Sequence, residues 1–152
     1  MTWARGRETV TRLLVQGQIE TITGSAANGS QLLASAHMLL ESAAREVVHN
    51  SEAAYLLAFD AGRKAGAALV TQQGLRIRSG GHHRVLEDVI RAQFDGPFTS
   101  FGVLRVRRNE IEYPRFPGDV ISDDEAREAI EIARQIFQGA DALIDSMTLF
   151  RP

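Results

Sequence analysis

The chain has 152 residues, 44% of them hydrophobic and 24% charged, which fits a single domain over residues 1–152 with one core. Its net charge of −2 excludes a general polyanion binder, so any contact with nucleic acid must come from a local patch. The sequence has no cysteine, which excludes disulfides, thiolate metal sites and a cysteine nucleophile.

The first stretch, MTWARGRETVTRLL, contains no apolar run long enough for a signal peptide, and no later segment is long enough to cross a membrane. We therefore expect a cytoplasmic protein that does not act at membranes. The TGSAANGS stretch is typical of a turn, or of a weak helix that continues back through Ile19 and Ile22.

Two long helices are predicted next. Apolar residues recur with a helical period over residues 31–49, with Ser30 as a suitable N-cap. A second helix is predicted from Ser51 to Gly74, where glycine suits a left-handed C-cap. One face of this helix is rich in alanine and glycine, so a neighbouring helix can approach closely. This face is one reason to expect a homodimer.

The second half of the chain continues the helical pattern. RIRSGGHHR is predicted to be a loop, followed by a short amphipathic helix over residues 85–94 and another over 98–113, which Pro114 ends. SDDE, which begins at Ser122, fits a capping box in front of a long last helix that reaches Met147. No run alternates convincingly as a strand does. The sequence therefore predicts an all-α fold, an antiparallel helical bundle of five to six helices.

A dense arginine cluster lies in the LRVRRNEIEYP segment, where Arg105, Arg107 and Arg108 fall within four residues. Arg105 and Arg107 can reach solvent, whereas Arg108 lies on an otherwise apolar helical stripe, four residues before Glu112. One interpretation is an Arg108–Glu112 pair at the edge of the core, worth a few tenths of a kcal/mol if exposed. The other is that these planar guanidinium groups bind phosphate or carboxylate.

Asn109 and Tyr113 are one helical turn apart, so they share a face beside Arg108. Polar residues are common at a helix C-terminus. The alternative is that these two side chains take part in the same site as Arg108.

A second basic patch surrounds GLRIRSGGHHR and includes Arg76, His82 and His83. Adjacent histidines point in different directions, which is poor geometry for holding one metal, so we expect no metal and no other cofactor. The patch is either a solvated loop whose histidines cap the next helix, or a phosphate contact made by arginines and a glycine-freed backbone. A P-loop is excluded because no Gly-Lys-Ser/Thr is present.

Asp60 lies four residues before Lys64, so an intrahelical pair is the simple interpretation. The alternative is that Asp60 reaches across to one of the arginines of the 105–108 segment.

Taken in order, LLAFDAGRKAGAALVTQQGLRIRSGGHH and RRNEIEYP resemble the HEPN superfamily (higher eukaryotes and prokaryotes nucleotide-binding), in particular its small actinobacterial-type members. The resemblance covers roughly residues 14–147. It implies a bundle of antiparallel helices, usually a homodimer with a groove at the interface. Many members are metal-independent endoribonucleases, often toxins with an antitoxin partner protein.

The family motif is Arg, a polar residue and then His, and Arg108 and Asn109 match its first two positions. Tyr113 stands at the histidine position, and no histidine follows His83. The resemblance thus marks Arg108, Asn109 and Tyr113 as the catalytic positions, with Arg105, Arg107, Arg76, His82 and His83 as RNA or nucleotide contacts.

An unperturbed tyrosine is almost fully protonated at pH 7 and is a weak base, so the missing histidine leaves several alternatives. One alternative is that His82 or His83 substitutes for the missing histidine, and another is that Glu112 does. The third is that the protein binds RNA without cutting it. The first hypothesis is a nucleic-acid- or nucleotide-binding protein, a degenerate RNase. The second is a non-enzymatic structural or regulatory homodimer with internally paired arginines. The third is an active RNase toxin.

Overall fold

The computed structural model describes residues 5–78 and 82–151, with the backbone but not the side chain of His82. These ranges form six α-helices and a small two-stranded sheet, so the predicted all-α helical bundle is confirmed. The helices are α1 Arg7–Val15, α2 Ser30–Glu46, α3 Ser51–Gln72, α4 His82–Gln93, α5 Phe101–Glu112 and α6 Asp123–Leu143. Short 3-10 helices precede α5 and follow α6, at Gly96–Ser100 and Ile144–Ser146, and a third lies at Gly24–Ala26.

Helix α3 is the centre of the bundle and packs most extensively against α2 and α6. Its small residues let these helices approach closely: Ala58, Ala61 and Ala65 are fully buried, and Gly62 faces Ile136 and Leu104. The small-residue face is therefore used inside the subunit. The predicted homodimer loses this support and rests on the family resemblance alone.

The sheet corrects the expectation that the chain contains no strand. Strand β1, Ile19–Thr21, pairs antiparallel with β2, Leu75–Ile77, and places Glu20 opposite Arg76. The helical alternative through Ile19 is thus wrong, and the predicted loop after Gly74 begins with a strand. Three residues are too few for an alternating pattern to stand out in the sequence.

The helix ends test the predicted caps. The capping box is confirmed, because the Glu125 backbone N–H donates to Ser122 Oγ and the Ser122 N–H donates to the Glu125 carboxylate, both at 3.1 Å. Gly74 adopts a φ of 75°, as a left-handed helix end requires. Ser30 is not a cap but the first helical residue, and its N–H donates to Asn28 Oδ1 at 2.9 Å.

Several helix ends differ from their predicted positions. Helix α4 begins at His82, three residues before its predicted start and within the segment predicted to be a loop. Residues 96–100 form a 3-10 turn, so α5 begins at Phe101, and α6 ends at Leu143 before another 3-10 turn. Neither change alters which residues face the core. None of the helices in the described ranges is long and apolar enough to span a bilayer.

Candidate functional site

The first arginine of the α5 cluster, Arg105, is held inside the fold. Its Nε donates to the carboxylate of Glu87, a residue that is only 5% exposed and whose other oxygen lies 3.4 Å from Arg91. Gly102 makes room for this pair, because a Cβ there would overlap the Glu87 carboxylate. Arg105 therefore balances a buried charge that would otherwise be costly.

Arg107 ties α5 to the loop that follows it and to α6. Its Nη1 donates to Glu110 at 2.8 Å and to Asp119 at 2.9 Å, and its Nε donates to Glu125 at 2.9 Å. Burial works to lower the pKa of Arg107, but the hydrogen bonds to these carboxylates outweigh it and raise that pKa. Hydrogen bonds from Arg115 and Arg107 hold the pKa of Asp119 well below its usual value. The Arg107 network is thus fully engaged within the subunit.

The Asp119 carboxylate should make stability depend on pH. Because its pKa is lowered on folding, its contribution is present above the unfolded-state pKa near 4 and is lost as pH falls below it. We expect Asp119→Asn to lower the melting temperature at pH 7, and the difference from wild type to shrink as pH falls from about 4 toward 2. Thermal unfolding followed by circular dichroism at several pH values measures this. A difference that stays constant across this range would contradict it.

Arg108 lies at the edge of the core, and its side chain is more exposed than those of Arg105 and Arg107. Its Nη1 donates to Glu112 at 2.7 Å, and its Cζ lies 5.7 Å from the centre of the Phe59 ring. The same ring makes an edge-on contact with His83, with centroids 5.2 Å apart. Phe59 therefore joins two basic segments that the sequence keeps apart.

Asn109 and Tyr113 lie at the exposed end of α5. Tyr113 is 74% exposed and ends the helix with a φ of −127°, and Asn109 is also exposed. No side chain in the described ranges hydrogen-bonds either of them. Both polar groups are thus accessible to a ligand, but neither is oriented by a neighbouring side chain.

A pocket of about 320 Å³ opens between α3, α4 and the edge of β2, and we call it the α3–α4 pocket. Its polar lining is mainly Arg63, Arg76 and His83. Its apolar lining is Leu32, Ala67, Val70, Leu75, Ile77 and Leu86. This arrangement suits a ligand with one flat apolar part and one anionic part.

The arginines of this pocket are oriented by carboxylates but keep free donors. Arg63 donates to Asp60 at 2.6 Å through Nη2, and Arg76 donates to Glu20 at 2.7 Å through Nε. Their Nη1 groups bond to no described residue. The Asp60 carboxylate also lies 3.9 Å from Lys64 Nζ. Asp60 therefore pairs with two residues of its own helix and does not reach the α5 cluster.

The structure thus brings together only some of the predicted site residues. Arg76 and His83 line one pocket, and Arg108 and His83 each contact the Phe59 ring, whereas Arg105 and Arg107 are engaged with carboxylates elsewhere. The His82 side chain and the glycines at 80 and 81 lie outside what the structure describes. All of these residues remain predictions as ligand contacts.

Sequence reasoning missed Arg63 and Phe59. They are four residues apart, so they share one side of α3, and that spacing was readable from the sequence. The link from Phe59 to Arg108 and His83 was not, because it depends on how three helices pack.

Comparisons with family models, with curated proteins and with solved structures give no match to this chain.

Proposed function

We propose that the protein is a HEPN-like nucleic-acid- or nucleotide-binding protein that uses the α3–α4 pocket together with Arg108. The observation that carries this proposal is the Phe59 ring, which contacts both His83 and Arg108. His83 also lines the pocket that holds Arg63 and Arg76, so Arg108 and the pocket lining share a contact with the Phe59 ring.

The chemistry of the pocket fits a nucleotide. A base can lie against the apolar lining, and phosphate oxygens can accept hydrogen bonds from the open Nη1 groups of Arg63 and Arg76. Local charge also favours an anion, because Asp60 is shared by Arg63 and Lys64. Arg78, which follows β2 but does not line the pocket, pairs with no described carboxylate. The positive charge is therefore not fully cancelled at this position.

The site has few of the side chains that RNA cleavage requires. Tyr113 is exposed and unsupported, and the Arg108 guanidinium is shared with Glu112. A tyrosine hydroxyl that no neighbouring side chain orients is a poor general base. We therefore propose binding with slow or absent cleavage, as in a degenerate metal-independent RNase.

Binding to a labelled single-stranded RNA should be weak and strongly dependent on salt. If Arg63, Arg76, Arg78 and Arg108 each neutralise one phosphate, raising salt from about 50 to 200 mM should weaken binding by about 50-fold. Arg76→Ala should remove one phosphate contact and reduce the salt slope by about 0.7. Fluorescence anisotropy across a salt series measures both quantities.

The control is Arg134→Ala, which removes an exposed arginine of α6 that pairs with Glu131 at 2.9 Å, on a helix that does not line the pocket. This variant should leave the salt dependence of RNA binding unchanged. The proposal fails if micromolar protein at 50 mM salt does not bind the RNA, or if the two variants behave alike.

Cleavage is tested separately with the same RNA in EDTA. We expect the unmodified protein to cut slowly or not at all, and Tyr113→His to cut faster because it restores a group that titrates near neutral pH. Wild-type cleavage that survives Tyr113→Phe and disappears in His83→Ala would instead favour an active RNase, the toxin hypothesis with its antitoxin-type partner.

A second candidate function has one specific observation in its favour. Arg105 and Arg107 are neutralised by Glu87, Glu110, Asp119 and Glu125, as expected for a structural or regulatory homodimer rather than an RNA-binding surface. Light scattering at micromolar concentration tests the dimer. A dimer that binds no RNA would favour this candidate over the first.

A further inference from the structure

A long groove runs along the seam between α2 and α6, on residues that the proposed nucleotide site does not use. Two open hollows, of about 640 and about 280 Å³, share His37 and Phe137 in their linings. The two rings are in contact, with centroids 5.4 Å apart. We call this the α2–α6 groove.

The groove is lined by apolar residues that no other part of the described fold covers. Leu33 and Ile144 form its base, each 8% exposed, and Met38 stands at its side with 69% of its surface in solvent. Ala34 and Ala44 are also exposed along the lining. Small residues allow another backbone to come close, and a flexible methionine adapts to the side chains of a partner.

The rim of the groove carries uncompensated negative charge. Asp141 and Asp145 are exposed, lie four residues apart, and pair with no cation in the described part of the chain. They stand at the C-terminal end of α6, where the helix dipole disfavours a carboxylate. The only ion-pair partner of Glu41 among the described residues is His37, at 3.7 Å. Arg134 also lines the groove, but its guanidinium pairs with Glu131 at 2.9 Å. A cation from another molecule would neutralise the negative charge at all three positions.

We propose that the α2–α6 groove docks a basic amphipathic helix of a partner protein. The apolar stripe of that helix, with residues at i, i+3/i+4 and i+7, packs on Met38, Phe137 and the exposed alanines, and its Lys or Arg residues face the acidic rim. Charge argues against a second copy seated symmetrically, because two-fold pairing would bring the acidic groove of one copy, with Glu41, Asp141 and Asp145, against the same acidic groove of the other.

The experiment uses two designed helical peptides with the same leucine and methionine stripe, one flanked by Lys and Arg and the other by Glu. Each is titrated into the ¹⁵N-labelled protein, and backbone amide shifts are followed. The basic peptide should shift the amides around Met38 and Phe137 and bind at least about tenfold more tightly than the acidic one.

Asp141→Lys with Asp145→Lys should weaken the basic peptide by about tenfold or more. The matched control, Asp124→Lys with Glu128→Lys, changes two exposed carboxylates of α6 with the same spacing away from the groove, and should leave the affinity unchanged. Circular dichroism checks that both variants are folded.

Three results would overturn the proposal. The basic peptide does not shift the groove at millimolar concentration, both peptides bind equally well, or Met38→Glu converts a dimer to a monomer in light scattering. The last result would show that a second copy covers the groove. The nucleotide proposal is independent of all three, since none of them involves the α3–α4 pocket.

Discussion

Arg107→Ala should lower the free energy of unfolding by about 2–3 kcal/mol, the largest effect expected for any surface arginine of this protein. The guanidinium is only 15% exposed and neutralises three carboxylates, one of which, Asp119, is 3% exposed. Removing it leaves Glu125 without its arginine and leaves Glu110 and Asp119 to share Arg115 alone. Urea unfolding followed by circular dichroism measures the change.

Arg134→Ala is again the matched control, because it removes an exposed arginine from a simple i, i+3 pair with Glu131. We expect a loss of less than about 1 kcal/mol. If the two variants are equally stable, the network does not hold α5 against the following loop and α6. If Arg107→Ala is stable but abolishes RNA binding, the arginine is a phosphate ligand rather than a structural residue.

The helical part of the fold was predictable because it depends on local signals. The apolar period of α2 and α6, the SDDE box at Ser122 and the left-handed Gly74 are each readable from a few neighbouring residues. Helix α1 was not predicted, because nine residues with two buried side chains carry a weak period. The two short strands were missed for a similar reason, and their pairing joins residues far apart in the chain.

The site was harder to predict, because sequence cannot show which carboxylate an arginine meets. The sequence predicts that Arg105 and Arg107 reach solvent and that Arg108 faces the core. This expectation is wrong, because the side chains of Arg105 and Arg107 are only 15% exposed, against 29% for Arg108. Glu87 comes from α4, while Asp119 comes from the loop after α5. Among these partners, Glu112 for Arg108 and Glu110 for Arg107 have a spacing that the sequence shows, since both pairs lie within one helix.

The same limit applies to the pocket. Arg76 was identified as a basic residue, but its orientation by Glu20 follows from strand pairing that the sequence did not reveal. Phe59 was not identified from the sequence as a site residue. Its contacts with His83 and Arg108 arise from the packing of α3, α4 and α5, and they provide the main support for a continuous site.

Gly29→Ala should destabilise the protein by about 3 kcal/mol, because a Cβ there would overlap the carbonyl oxygen of Ala68 in α3. A backbone atom cannot move aside as a flexible side chain can, so the start of α2 must shift. The shift would also break the hydrogen bond from the Gly29 N–H to Gln72 Oε1, which is 2.9 Å long.

Gly62→Ala is the matched control, because its Cβ would meet Ile136 and Leu104 at an ordinary contact distance of 3.5 Å. There the better helix propensity of alanine should stabilise the protein by up to about 1 kcal/mol. Urea unfolding of both variants measures the contrast, and equal stabilities would mean that α2 and α3 are not in close backbone contact at this point.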